Sequence, residues 1–375
     1  MARKYKFVTF TIFMSIGVVI LLGEVGVRLF AKNGYITPEV LRNQSVQYEP
    51  VVFARHAFKQ EAHMANRPFG RWKGMVWEIN EQGYRGPNFE TKKPDGTTRI
   101  IIYGGSATFD IRSTKGEDWP HRVQRILRES GFSNVEVINA GIMGHTALES
   151  VGKLFAEGHV FEPDYVLIYN GWNDIKYFSS PKTALRTLRP SAQGFDPRIQ
   201  YTNFLDRWLC EGSQLYTVLR RIYYKKKIKF GKEEMRTAGY NTQNSIETLN
   251  PGGFRQYQLA MEVFVDLARN IGAEPILLTQ ARLVHESNNL DSQQQKRIDY
   301  HYVGLSHDAL VETFDRLDRI VRKVATEKGA MLIDASAHLS GKEWAFDDHV
   351  HVVPKGSEAL AQFVADHLQP ILKSP

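Results

Sequence analysis

A serine, a histidine and an aspartate can together open an ester, provided the histidine takes the serine's proton and the aspartate holds the histidine. Four short segments of this chain supply such side chains and the donors that go with them. They are Gly104-Gly105-Ser106-Ala107-Thr108, Asn139-Ala140-Gly141-Ile142-Met143-Gly144, Gly171-Trp172-Asn173-Asp174 and Asp348-His349-Val350-His351. Ser106 is the candidate nucleophile and His351 the base. Asp348, three residues before the base, is placed to fix the imidazole tautomer. The backbone N–H groups of Ser106 and Gly144 and the side-chain amide of Asn173 are the candidate oxyanion donors, each worth on the order of 3 kcal/mol of barrier.

Residues so far apart meet only if the fold carries them to one rim. Short apolar runs at 99–103, 135–138, 165–169, 275–279 and 331–333 are bounded by turn residues and predict five parallel strands. Between them lie helical stripes. Asp118 and Pro120 open one over Val123, Ile126 and Leu127, which ends near Gly131. Tyr257 to Ile271 form a second, closed by Gly272, and Ser306 caps a third that stops before Gly329. Leu360 to Ile371 form the last. Apolar strands alternating with helices imply a three-layer α/β/α sandwich with a five-stranded parallel sheet, in which ligands collect at strand carboxyl ends. The first three segments follow directly on the first three strands.

The rest of the chain divides around that domain. Arg3, Lys4 and Lys6 precede an uncharged stretch from Phe7 to Gly23, which predicts a cytoplasmic tail and transmembrane anchor over residues 1–30. A cleaved signal is the rival, but Leu21 and Leu29 stand where its cleavage site needs small residues. Residues 31–95 read as a stalk or cover, and 96–375 as the catalytic domain on the extracytoplasmic side, interrupted by an insertion at about 175–248. Within that insertion, Arg220, Arg221, Lys225, Lys226, Lys227, Lys229, Lys232 and Arg236 face only Glu233 and Glu234. Such a run is either a solvated face or a contact for anionic lipid or polymer. The net charge of +7 comes without any recognition helix or stacking motif, so no nucleic-acid partner is expected. Cys210 stands alone, which excludes an intrachain disulfide and a cysteine-built zinc site. No cofactor is expected, and no metal, since His349 and His351 lack a further ligand cluster of recognisable spacing.

With these four segments in this order, the chain resembles the SGNH hydrolases, also called the GDSL esterase and lipase family. The stretch Asn80-Glu81-Gln82-Gly83-Tyr84-Arg85-Gly86 looks like a lead-in of that family's anchored or exported members. The resemblance runs from about residue 75 onward and leaves out the insertion. It implies a flavodoxin-like sheet, Ser106 as nucleophile, Gly144 and Asn173 in the oxyanion hole, and Asp348 with His351 completing a triad. One position departs: Gly105 stands where the family's first block carries aspartate, so support for that loop must come from elsewhere. The expected activity is ester hydrolysis, with a short acyl group on a cell-surface carbohydrate or lipid as the leading substrate class. An O-acyltransferase would use the same residues, and a non-catalytic glycan-binding or membrane-partner-binding protein is the alternative of another class. Ser179-Ser180-Pro181-Lys182 has the Ser-x-x-Lys spacing of penicillin-recognising enzymes but lacks their other motifs. The Gly-x-Ser-x-Gly elbow is absent, because Thr108 occupies its last position. Trp172 is left open between lining an acyl pocket and packing.

Overall fold

The computed structural model describes residues 2–30, 48–49, 57–58, 64–65, 76–175, 201–238, 251–285, 297–298, 303 and 305–372. The chain forms two compact units, Met1–Gln47 with Gln193–Met235, and Tyr48–Ala192 with Arg236–Pro375. In chain order the helices are α1 (Ala2–Phe30), α2 (Ser106–Phe109), α3 (Trp119–Glu129), α4 (Ala147–Glu157) and α5 (Trp172–Ile175). There follow α6 (Phe204–Gly212), α7 (Gln214–Ala238), α8 (Pro251–Asn270), α9 (His307–Lys328), α10 (Ala335–Leu339) and α11 (Pro354–Leu368).

The larger unit is built on strands β1 (Thr98–Gly104), β2 (Val135–Gly141), β3 (Tyr165–Tyr169), β4 (Glu274–Leu278) and β5 (Met331–Ile333). Their order is β2-β1-β3-β4-β5, with every pair parallel. Ile100, Ile101 and Ile102 of β1 are fully buried, which only a sheet covered on both faces allows. Each such side chain contributes about 1.5–3 kcal/mol of burial free energy. Helices α3 and α11 pack together in one layer, and α4, α8 and α9 pack together in the other. Because β2 and β3 lie on opposite sides of β1, the chain reverses direction there. A crevice opens beyond the strand carboxyl ends at such a switch point.

The helix boundaries follow the local signals. Ser306 accepts from the N–H of Ala309 at 3.3 Å, and Gly329 ends α9 in the left-handed conformation at φ +59°. Thr146 and Glu149 form a capping box on α4. Asp118 flanks α3 as expected, but its carboxylate is not spent on the cap and turns inward to other partners. Trp77, Ile79 and Tyr84 are buried, so the stretch ahead of residue 96 contributes to this unit's interior.

In the smaller unit, Val8–Phe30 of α1 is apolar enough to cross a membrane, with a mean hydropathy of 2.2 and no burial of that window. The insertion yields α6 and α7, while residues 176–200 and 239–250 lie outside the described residues. One member of the basic run needs correcting. Arg220 is buried and ion-paired with Asp206 at 2.5 Å, so its charge is neutralised inside the hairpin and is no part of a surface patch.

Candidate active site

Strand β1 ends at Gly104, and Ser106 starts the single turn α2, which closes at Asp110 in the left-handed conformation, φ +57°. A hydroxyl at the first position of a turn that follows a central strand is presented at the rim. Gly105 is needed there for a steric reason. A Cβ at 105 would stand 2.6 Å from Asn173 Nδ2 and 3.0 Å from the His145 carbonyl oxygen. The residue that departs from the Gly-Asp-Ser pattern is thus one that this neighbourhood cannot replace by aspartate without moving Asn173.

His351, the candidate base, lies in the loop between α10 and α11. Phe346 and Val352 pair across its neck, and Asp347 N donates to His351 O at 2.8 Å. His351 Nε2 lies 2.7 Å from Ser106 Oγ, and Nδ1 lies 2.7 and 2.9 Å from the two Asp348 oxygens. A carboxylate can only accept, so Nδ1 carries the proton and Nε2 is left to take one from the serine. Asp348 also accepts from the backbone N–H groups of Val350 and His351, and from Arg112 at 3.0 Å. Burial works against its charge, yet the adjacent His351 and His349, the His351 hydrogen bond and Arg112 hold its carboxyl well below the usual carboxylate range. It is therefore ionised wherever the histidine is to work.

The other two candidate donors, Gly144 and Asn173, come from the loops after β2 and β3. Ile142 to His145 form a turn closed by a 3.1 Å backbone bond, in which Gly144 takes φ +87°, a conformation open to glycine. Asn173 lies in α5 and donates from Nδ2 to the His145 carbonyl at 2.9 Å, with that nitrogen close beside Gly105. Asn170 Nδ2 donates to the same carbonyl at 3.1 Å, and Asp174 accepts from Ala147 N at the start of α4. The loops that follow β2 and β3 are thereby tied to one another. Ser106, Asp348 and His351 are joined in one hydrogen-bonded line. Asn173 abuts Gly105, and Gly144 immediately precedes the residue that orients Asn173.

Four residues of this site carry no motif. Arg85, buried in the lead-in stretch, donates to the carbonyls of Phe109, Asp110 at 2.9 Å, Ser113 at 2.8 Å and Thr114 at 3.1 Å, and pairs with Asp118 at 3.1 Å. It fastens the chain that leaves the Ser106 turn. Asp110 accepts from Ser113 Oγ, Trp119 N and Ser357 Oγ, so a carboxylate four residues after Ser106 supports the loop. Burial pushes its carboxyl above the ordinary value. Asp118 receives His121, Asn139 and Arg85; against burial, His121 and Arg85 hold it far below the ordinary value. Arg112 bridges Asp347 and Asp348. The only signal for these is the unusual placing of charge within an otherwise apolar neighbourhood.

Trp172 packs. Its ring stacks on His349 at 3.7 Å between centroids and on Phe314 at 6.1 Å. Asp348, His349 and His351 offer ligand atoms within 4.8 Å of one another. Both ring nitrogens of His351 are already engaged, so a metal there would have to break the contact with Ser106 or with Asp348.

No family model matches this chain, and no curated relative does. Solved structures similar to it include a lipase/acylhydrolase from Enterococcus faecalis, at 16% identity, covering 74% of this chain and 99% of that one, with a TM-score of 0.42. Another is a variant of Axe2, an acetyl-xylooligosaccharide esterase from Geobacillus stearmophilus, at 17% identity, covering 72% and 94%, with a TM-score of 0.41. At such scores the likeness carries no functional argument, and the chemistry must come from the residues themselves.

Proposed function

We propose that this protein is a serine hydrolase of the SGNH type that cleaves an ester through an acyl-serine intermediate, held to a membrane by α1 with the catalytic unit on the extracytoplasmic side. The observation that carries the reading is the unbroken line Ser106 Oγ, His351 Nε2, His351 Nδ1, Asp348. In the first half-reaction the Ser106 oxygen attacks the ester carbonyl as its proton passes to His351 Nε2. The imidazolium so formed is held by the Asp348 carboxylate. The carbonyl oxygen, now anionic, is met by the N–H groups of Ser106 and Gly144 and by the Asn173 amide. Collapse expels the alcohol, which takes the proton from His351. Water, deprotonated by the same nitrogen, then releases the acid and restores Ser106.

The substrate class that fits best is a short acyl ester on a cell-surface carbohydrate or lipid, because α1 would keep the unit beside that surface. A fluorophosphonate probe tests the chemistry. It should label the wild type and spare Ser106→Ala, and nitrophenyl esters of increasing chain length should then show acetate turned over best. An unlabelled wild type with intact melting behaviour would leave the protein as a binding module and end the hydrolase reading.

A further inference from the structure

We propose that the α6–α7 hairpin is a bilayer-interface element, clasped to the membrane helix by Glu24 and Arg28, whose exposed apolar side chains enter the lipid. The inference rests on α1 being retained as a span. Two charges so close to an apolar helix need partners, and the hairpin supplies them. The Glu24 carboxylate accepts from Ser213 Oγ at 2.7 Å and from the backbone N–H groups of Gln214 and Leu215 at 2.9 Å each. Those are orphan donors at the start of α7, where the helix dipole favours an anion. Arg28 pairs with Glu24 at 2.7 Å and reaches the Gly212 carbonyl at the end of α6, where a cation is favoured. A Cβ at Gly23 would come within 2.9 Å of the Leu215 side chain, so the two helices meet closely there. A signal sequence destined for removal has no use for such a fitted partner.

The clasp sets the hairpin's depth. Val8–Phe30 has 23 residues, about 35 Å of helix against roughly 30 Å of hydrocarbon. Glu24 lies about 24 Å along the helix from Val8 at 1.5 Å per residue, so against roughly 30 Å of hydrocarbon the α6–α7 turn sits about 6 Å inside its edge, at the boundary between acyl chains and headgroups. Phe204, Leu205 and Trp208 recur along one side of α6, and Leu219, Ile222 and Tyr223 along one side of α7. All six are exposed, Phe204 by 83% and Trp208 by 62%. They are not an unfinished interior, because the hairpin has its own: Cys210 is fully buried beside the Asp206–Arg220 pair, and Tyr216 Oη donates to Asp206. Aromatic and aliphatic side chains beside cations suit the boundary between acyl chains and anionic headgroups. Arg221, Lys226 and Lys227 are exposed cations of α7, with the Lys227 ammonium 5.9 Å from the Tyr223 ring. A bilayer is the occupant because Glu24 and Arg28 fasten the hairpin to a helix long and apolar enough to cross one.

The test uses the full chain with Cys210→Ala, reconstituted in phosphatidylcholine–phosphatidylglycerol vesicles. Single cysteines are placed at Ile16, Leu205, Trp208, Ile222 and, as a control in the other unit, Glu312, then spin-labelled; circular dichroism and melting confirm each fold. Oxygen accessibility should exceed that of an aqueous nickel chelate at 16, 205, 208 and 222, with the order reversed at 312. Adding Glu24→Ala should bring 205 and 208 to the control's values while leaving 16 unchanged. Labels at 205, 208 and 222 that match 312 while 16 remains lipid-exposed would overturn the hairpin proposal and spare the anchor. A water-exposed label at 16 would overturn the anchor itself.

Discussion

Replacing Gly105 by alanine should cripple turnover although no reacting group is touched. The added Cβ would lie 2.6 Å from Asn173 Nδ2, and ordinary contact begins near 3.4 Å, so the amide has to move by about 0.8 Å. It cannot retreat freely, because the 2.9 Å bond to His145 O fixes it and that oxygen is itself only 3.0 Å from the new atom. The expected loss is that of one oxyanion donor, about 10²- to 10³-fold in kcat or roughly 2.7–4 kcal/mol, with KM little changed. Overpacking should also lower stability by about 1–3 kcal/mol, so the assay is run well below the variant's melting temperature. Nitrophenyl acetate hydrolysis by Gly105→Ala, Asn173→Ala and the double variant makes a cycle. If the glycine acts through Asn173, the double variant falls within a few-fold of Asn173→Ala alone. Gly105→Asp, which would create Gly-Asp-Ser, should fail in the same manner. A Gly105→Ala enzyme within about threefold of wild-type kcat, or a double variant showing the full product of both losses, would refute the reasoning.

Arg85→Met should destabilise the larger unit by about 3–5 kcal/mol in urea unfolding, since it takes the guanidinium from the buried Asp118, leaving it only His121 and Asn139, and frees four loop carbonyls; a loss below about 1 kcal/mol would count against the clamp. Asp118 has a depressed pKa when folded, so its stabilisation is present above the ordinary carboxylate value and fades as pH falls below it. The melting temperatures of wild type and Asp118→Asn should therefore lie furthest apart at pH 5–7 and converge toward pH 2.5. A gap that widens on acidification would contradict the sign.

The sheet was legible because its strands are short, apolar throughout and fenced by turn residues, and because Ser306, Gly272 and Gly329 mark helix ends by local chemistry alone. Ser106 was legible for a similar reason, since a strand delivers it, whereas the Asp348–His351 pair was read from its spacing alone and lies in the loop after α10. The task of Arg85 was not legible: its lead-in stretch stood out, but its five partners are fixed by packing across 24 to 33 residues and nothing in that stretch points to them. The same holds for Glu24, which reads as the ragged edge of an apolar segment until a helix some 190 residues later is found resting on it. Arg220 shows the converse, a member of a basic run whose charge is cancelled by Asp206 out of sight of the sequence. Contacts that depend on which surfaces meet leave no periodic trace.

The order of the strands has a temporal meaning. Ser106 leaves the first strand of the sheet to be synthesised, whereas His351 follows the last. A chain emerging amino end first therefore carries an unactivated alcohol through most of its assembly, and the imidazole reaches it only after β5 is seated and the loop behind it has closed. Under the proposed mechanism, connectivity alone thus keeps the half-made protein unreactive.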